Sequence, residues 1–131
     1  MGKSPGHRDH PEHHVSVRQA VEHIEVKADG RTLAASDNVL VVEEDDVPAR
    51  FYFPRRDVSM EILKPSANVT RCPFKGTAHY YDVTIHGRKV QDAAWSYEDP
   101  YDEHAGLTGR LAFDPDKAEL LLMPGPGAPA P

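Results

Sequence analysis

The chain has 131 residues, a length that suits one domain. With 39% hydrophobic and 27% charged residues it reads as a soluble protein, and no apolar run approaches the roughly 20 residues that span a bilayer. Fifteen basic against 21 acidic side chains leave a net charge of −6, which argues against a general phosphate-backbone binder, and the single cysteine, Cys72, excludes an intramolecular disulfide or a multi-cysteine zinc or iron–sulfur site.

In chain order, residues 1–17 mix Gly, Pro, His and charge without periodicity and are expected to be a disordered tail. The tail has no apolar signal region, and a lone thiol fits a reducing compartment, so a cytoplasmic location is expected. His7, His10, His13 and His14 lie in this segment, and a flexible tail does not fix the geometry a metal site needs. Ile24, Val26 and Ala28 alternate with Glu25 and Lys27, the period of a half-buried strand. Asp29-Gly30 then predicts a tight hairpin turn, with Arg31 to Ala35 as the returning strand. Asn38 to Glu43 is apolar and β-branched, as a buried strand would be. The acidic link Glu44-Asp45-Asp46-Val47-Pro48 breaks the pattern, and Phe51-Tyr52-Phe53 follows as a short aromatic strand stopped by Pro54.

Residues 57–63 are ambiguous: Asp57 could cap one or two helical turns that end at Pro65. His79 to Ile85 predicts a strand, Gly87 a turn, and Lys89 to Ala94 a return into Trp95. Leu107 to Phe113 and Ala118 to Met123 are the last two strands, joined by the Asp114-Pro115-Asp116-Lys117 turn. Residues 124–131 form a low-complexity Pro/Gly/Ala tail. The expected fold is therefore mainly β: a single domain over residues 18–123, with about eight short strands and one or two short helical segments between disordered termini.

Three segments are dense in special residues: Tyr52-Phe53-Pro54-Arg55-Arg56-Asp57-Val58, Thr70-Arg71-Cys72-Pro73-Phe74-Lys75-Gly76-Thr77-Ala78, and Ala93-Ala94-Trp95-Ser96-Tyr97-Glu98-Asp99-Pro100. Their order and spacing resemble the domain of unknown function 427 family, over about Val21 to Met123, with Gly109 and Phe113 fitting the closing strand. The resemblance implies a compact β-rich domain, tent-like or sandwich-like. The family is sometimes labelled nucleotidyltransferase-like, a fold-level analogy. Nucleotide transfer calls for carboxylates converging on magnesium and a phosphate-cradling loop. The nearest carboxylate pair, Asp114 and Asp116, reads as a turn between strands, and no Gly-Ser phosphate loop precedes it.

Each candidate residue has a plain reading beside a functional one. Cys72 is a nucleophile if Arg71 or Lys75 lowers its pKa and His79 serves as base, and a small packed hydrophobe otherwise. Lys75-Gly76-Thr77 lacks the earlier glycine of a P-loop, since neither Asn68 nor Arg71 supplies it, so Gly76 is expected to be a turn glycine with positive φ. Lys75 is either a ligand-holding cation or an ordinary solvated charge. Trp95 and Tyr97 are two apart and share a strand face. With Tyr52, Phe53, Phe74, Tyr80 and Tyr81 they form either the core or the wall of an aromatic pocket closed by residues 72–76 and capped by Glu98-Asp99-Pro100. Asp57 or Glu61 could add a carboxylate there, and at most one of Arg55 and Arg56 should face it.

The preferred expectation is a pocket for a small organic molecule, without metal or cofactor, lined by Tyr52, Phe53, Cys72, Phe74, Lys75, Thr77, Tyr80, Trp95 and Tyr97. Neither nucleic acid nor membrane is expected as a partner, and the chain should be a monomer or weak homodimer. Two alternatives stand beside it: an enzyme using Cys72 or Lys75 on the same molecule, and an interaction module presenting an aromatic patch or edge strand to another protein.

Overall fold

The computed structural model describes residues 2–125, which fold as a mainly β structure. Strands β1 (Val15–Gln19), β4 (Leu40–Glu44) and β5 (Arg50–Tyr52) make one antiparallel sheet in the order β1-β4-β5. Strands β2 (His23–Ala28), β3 (Arg31–Ser36) and β10 (Glu119–Met123) make a second, ordered β10-β2-β3. The third runs β6-β7-β8-β9, from β6 (Leu63–Cys72), β7 (Gly76–Ile85), β8 (Arg88–Tyr97) and β9 (Leu111–Phe113). Phe53 and Leu111 exchange backbone hydrogen bonds of 2.8 and 2.9 Å, tying the end of the first sheet to β9 of the third.

Local chemistry explains most of these elements. Asp29 and Gly30 both have positive φ, 51° and 78°, as the β2–β3 hairpin turn requires. Residues 57–63, ambiguous in the sequence, contain one single 3-10 turn, Met60–Ile62, and the end of another, Arg55–Asp57, rather than a longer helix. Asp57 does not cap a helix: its carboxylate accepts from the Ser36 hydroxyl at 2.6 Å. Leu107 to Arg110 does not belong to the β9 strand, because a 3-10 segment runs over Asp102–Leu107 and turns into it.

Ten strands are present among the described residues instead of eight, the additions being β1 and β6. β6 is polar on both sides and carries Pro65, which hides the strand in the sequence. Its place at the sheet edge accounts for both, since an edge strand can spare a donor and face solvent. The register slips between Pro65 and Val69, a bulge that bends the edge.

The N-terminal segment also differs from its expectation of disorder. Pro5–Asp9 forms a short helix, α1, capped by the Ser4 hydroxyl, which accepts from His7 N at 2.9 Å. Gly6 N and Ser4 Oγ both donate to the Pro73 carbonyl, at 2.8 and 3.0 Å. A side chain at Gly6 would meet that carbonyl at 2.7 Å, so only glycine lets the two backbones approach this closely. Of the C-terminal tail, Pro124 and Gly125 have no regular structure and residues 126–131 lie outside the described residues.

Two apolar clusters result. The larger joins Ile24, Val26, Leu33, Val41, Phe53, Val83 and Leu111 with their neighbours. The smaller gathers Val42, Tyr52, Ala78, Tyr97, Leu107 and Ala112, with Cys72, Tyr80 and Trp95 packed against it. Tyr52 and Phe53 are adjacent along an extended chain and point to opposite sides, so they enter different clusters.

Candidate functional site

The smaller cluster is the floor of an open cleft of about 420 Å³. Tyr52 reaches it from β5, Tyr80 from β7, Trp95 and Tyr97 from β8, and Lys75 from the turn between β6 and β7. Five of the nine expected site residues therefore meet at one place. Trp95 and Tyr97 do share a face, because β8 is extended through both.

The other four lie elsewhere. Phe53 is fully buried in the larger cluster, on the reverse side of its strand. Phe74 is turned under the N-terminal segment, with the His7 ring against it edge-on at 5.0 Å and the His13 ring stacked on it at 4.5 Å. Thr77 is half-buried on β7, where alternation sends it to the opposite face from Ala78 and Tyr80. Cys72 has a free thiol, half-buried and packed against the smaller cluster, and does not line the cleft. His79 sits between Ala78 and Tyr80 on β7 and so points to the opposite face from the cluster that Cys72 joins; no Cys–His pair forms.

Nor do the neighbouring charges of the motifs enter the cleft. Arg55 donates to Glu98 at 2.8 Å and to the Tyr81 hydroxyl at 3.0 Å, so Glu98 fastens this corner instead of capping a pocket. Glu61 is exposed beside Arg31 at 3.5 Å. Gly76 has φ of 126°, the turn conformation expected of it, and its Cα lies close to Pro100, where a Cβ would stand 3.3 Å from the Pro100 Cα. Tyr101 N, directly after the third motif, donates to the Lys75 carbonyl at 2.9 Å and holds the end of that motif against the β6–β7 turn.

Lys75 is buried, 7% exposed, and its ammonium donates to Glu44 Oε1 at 2.6 Å. The second oxygen of Glu44 accepts from His13 Nε2 at 2.9 Å. Burial opposes charge on Glu44, yet the hydrogen bonds from Lys75 and His13 prevail and hold its carboxyl below the ordinary value. Trp95 Nε1 donates to the Tyr52 hydroxyl at 3.1 Å, and the Arg50 guanidinium lies 5.8 Å from the Trp95 ring centroid. Burial pushes the phenols of Tyr52 and Tyr97 well above the usual tyrosine range, so both keep their protons near neutrality.

Glu44 and Arg50 complete the site and were not singled out from the sequence. Arg50 was within reach: on an extended chain it shares a face with Tyr52, two residues on. Glu44 sits 31 residues before its lysine, in an acidic link with no pattern to distinguish it from Glu43 or Asp45. Asp114 and Asp116 stand at the cleft's rim in the β9–β10 turn, where Asp116 N donates to Asp114 Oδ1 at 2.9 Å. Among the described residues no three His, Cys, Asp or Glu side chains group as metal ligands, and no helix is long and apolar enough to cross a membrane.

A model of the family described as Domain of unknown function (DUF427) matches residues 16–123, and the chain belongs to that family. No curated protein matches it.

Proposed function

We propose that this member of the family binds a small organic molecule in the cleft between β5, β8 and the β6–β7 turn. The observation that supports this most is the convergence of Tyr52, Lys75, Tyr80, Trp95 and Tyr97, from three separate segments, on one opening of about 420 Å³. That size is in the range of ligand sites, which combine an apolar body with a few oriented polar groups. Here Tyr80 and Trp95, with ring centroids 6.2 Å apart and planes tilted by 42°, offer aromatic surface, while Arg50, Lys75 and the phenols offer the polar ends.

Thiol chemistry at Cys72 is left out of this reading, since the thiol does not line the cleft and has no histidine partner. The test is a melting-temperature screen of the full chain against a metabolite library that includes nucleotides and small carboxylic acids. A ligand at 100 times its Kd stabilises a fold by about 2.7 kcal/mol, a shift of several degrees in a domain of this size. Trp95→Ala should abolish the shift while the circular dichroism spectrum is retained. A blank library against a well-folded protein would remove the proposal.

A further inference from the structure

The geometry points to a monoanionic carboxylate as the inner end of the molecule that this cleft takes, an inference that rests on the binding role proposed above. The polar groups left without protein partners around the floor are donors. The Tyr97 hydroxyl, on a side chain 6% exposed, makes no hydrogen bond with any described residue. Tyr52 is 1% exposed; its oxygen accepts from Trp95 Nε1, and its own proton has no acceptor among the described residues. The Arg50 guanidinium touches the Trp95 ring and pairs with no carboxylate among the described residues. Burial keeps both phenols protonated, so they donate across the neutral range.

The acceptors nearby are mostly engaged. Glu44 gives one oxygen to Lys75 and the other to His13. Asp114 accepts from Asp116 N and lies 3.7 Å from Lys117 Nζ. Asp116 is exposed at the rim, where water solvates it. Among the described residues the buried polar atoms without a partner are Ser96 Oγ and His104 Nδ1, so the Tyr97 hydroxyl is open to the cleft, and a ligand that brings two oxygens to this floor takes the place of water there. A planar carboxylate also suits the forked donors of Arg50.

Charge decides between a carboxylate and a phosphate. Glu44 is paired with Lys75 and Asp114 lies 3.7 Å from Lys117 Nζ, which leaves the Arg50 charge facing the exposed Asp116. One guanidinium without a carboxylate partner balances a monoanion, whereas the second charge of a dianion has no further cation to meet it. The other end of the ligand is flat and unsaturated, to lie against one of the two rings, Trp95 or Tyr80, whose planes are tilted by 42°.

Four probes of equal ring size test this by calorimetric titration into the full chain: benzoate, benzamide, benzylamine and phenyl phosphate. Benzoate should bind about tenfold more tightly than each of the others. Arg50→Gln and Tyr97→Phe should each weaken benzoate about tenfold and leave benzamide within about twofold, in proteins with unchanged circular dichroism spectra. Tyr97→Phe removes only one hydroxyl, so it remains informative if Arg50→Gln disturbs the fold. Benzamide or benzylamine binding as tightly as benzoate would overturn the carboxylate and leave the aromatic cleft standing. Phenyl phosphate binding as tightly would overturn the charge argument. If none of the four bound and the library were also blank, the cleft itself would fail as a ligand site.

Discussion

Lys75 and Glu44 show how one buried pair shapes a site. Lys75→Met leaves Glu44 with His13 alone in a place that is only 15% exposed, and removing one partner of a buried pair costs about 3 kcal/mol. Replacing both residues, as Lys75→Met with Glu44→Leu, removes the stranded charge and should restore most of that loss. Urea unfolding of the two variants checks this. It also separates a lysine that supports the fold from one that serves a ligand, since the double variant folds but presents no cation.

His23 behaves differently because it is flanked by two acceptors. Its Nδ1 lies 2.6 Å from Asp37 and its Nε2 lies 3.0 Å from Glu25. The hydrogen bond to Asp37 first, then that to Glu25, raises its pKa above the ordinary histidine value. The folded state therefore holds the proton more tightly than the unfolded state does. The stabilisation is complete below the unfolded value of about 6.5 and is lost as pH rises through the raised folded value. His23→Gln should lose stability relative to the parent at pH 6 and lose much less at pH 8.5, as read from urea midpoints at the two pH values.

At the scale of elements, the docking of residues 2–14 on the β6–β7 turn is the arrangement furthest from the sequence. Ser4 and His7 find partners in Pro73, Glu103 and His104, between 69 and 99 residues away, and no local pattern announces such contacts. The composition of the segment reads as solvated because its order comes from a handful of specific hydrogen bonds and three ring contacts, and little from apolar burial. The Asp29-Gly30 hairpin stands at the other extreme: its turn chemistry is contained in two residues, and so was legible. The aromatic motif was legible in part. Alternation places Trp95 with Tyr97, but only the β5–β9 junction decides that Tyr52 joins them while Phe53 turns to the other core. β6 was missed because an edge strand need not be apolar on either side.

Gly6→Ala tests the docking directly. The added methyl would lie 2.7 Å from the Pro73 carbonyl and 2.8 Å from Phe74 Cδ1, a clash worth about 1–3 kcal/mol. Hydrogen exchange should lose protection over residues 2–10 and keep it in β7 and β8. Acid should have a related effect through His104, whose Nε2 lies 2.9 Å from His7 Nε2 and whose Nδ1 is buried without a partner. Burial first, then the nearby charges of His7 and Lys75, lowers its pKa, against the opposing pull of Glu103 and Glu44. The docked form thus prefers the neutral ring: its advantage is full above the ordinary histidine value of about 6.5 and disappears as pH falls through the lowered one. Exchange at pH 5 should therefore open residues 4–9 while β7 and β8 stay protected.

For the molecule as a whole, the cleft lies where two sheets are stitched together by the Phe53–Leu111 backbone pair. Its walls come from β5 on one side and from β7 and β8 on the other, so a bound molecule would bridge elements that otherwise meet at few points. Truncating Phe53 should loosen that junction without touching the cleft lining. Phe53→Ala removes a fully buried ring and should cost about 3–5 kcal/mol in urea unfolding.

The chain holds one tryptophan, and it stands in the cleft with its indole N–H on Tyr52 and a guanidinium beside its face. In the folded protein its fluorescence therefore reports on one location. Emission on excitation of the indole should shift or quench when the cleft is occupied, and should stay constant when residues 2–10 come loose in acid. The protein thus carries an optical probe of its own, which distinguishes events in the cleft from events at the N-terminus without any label.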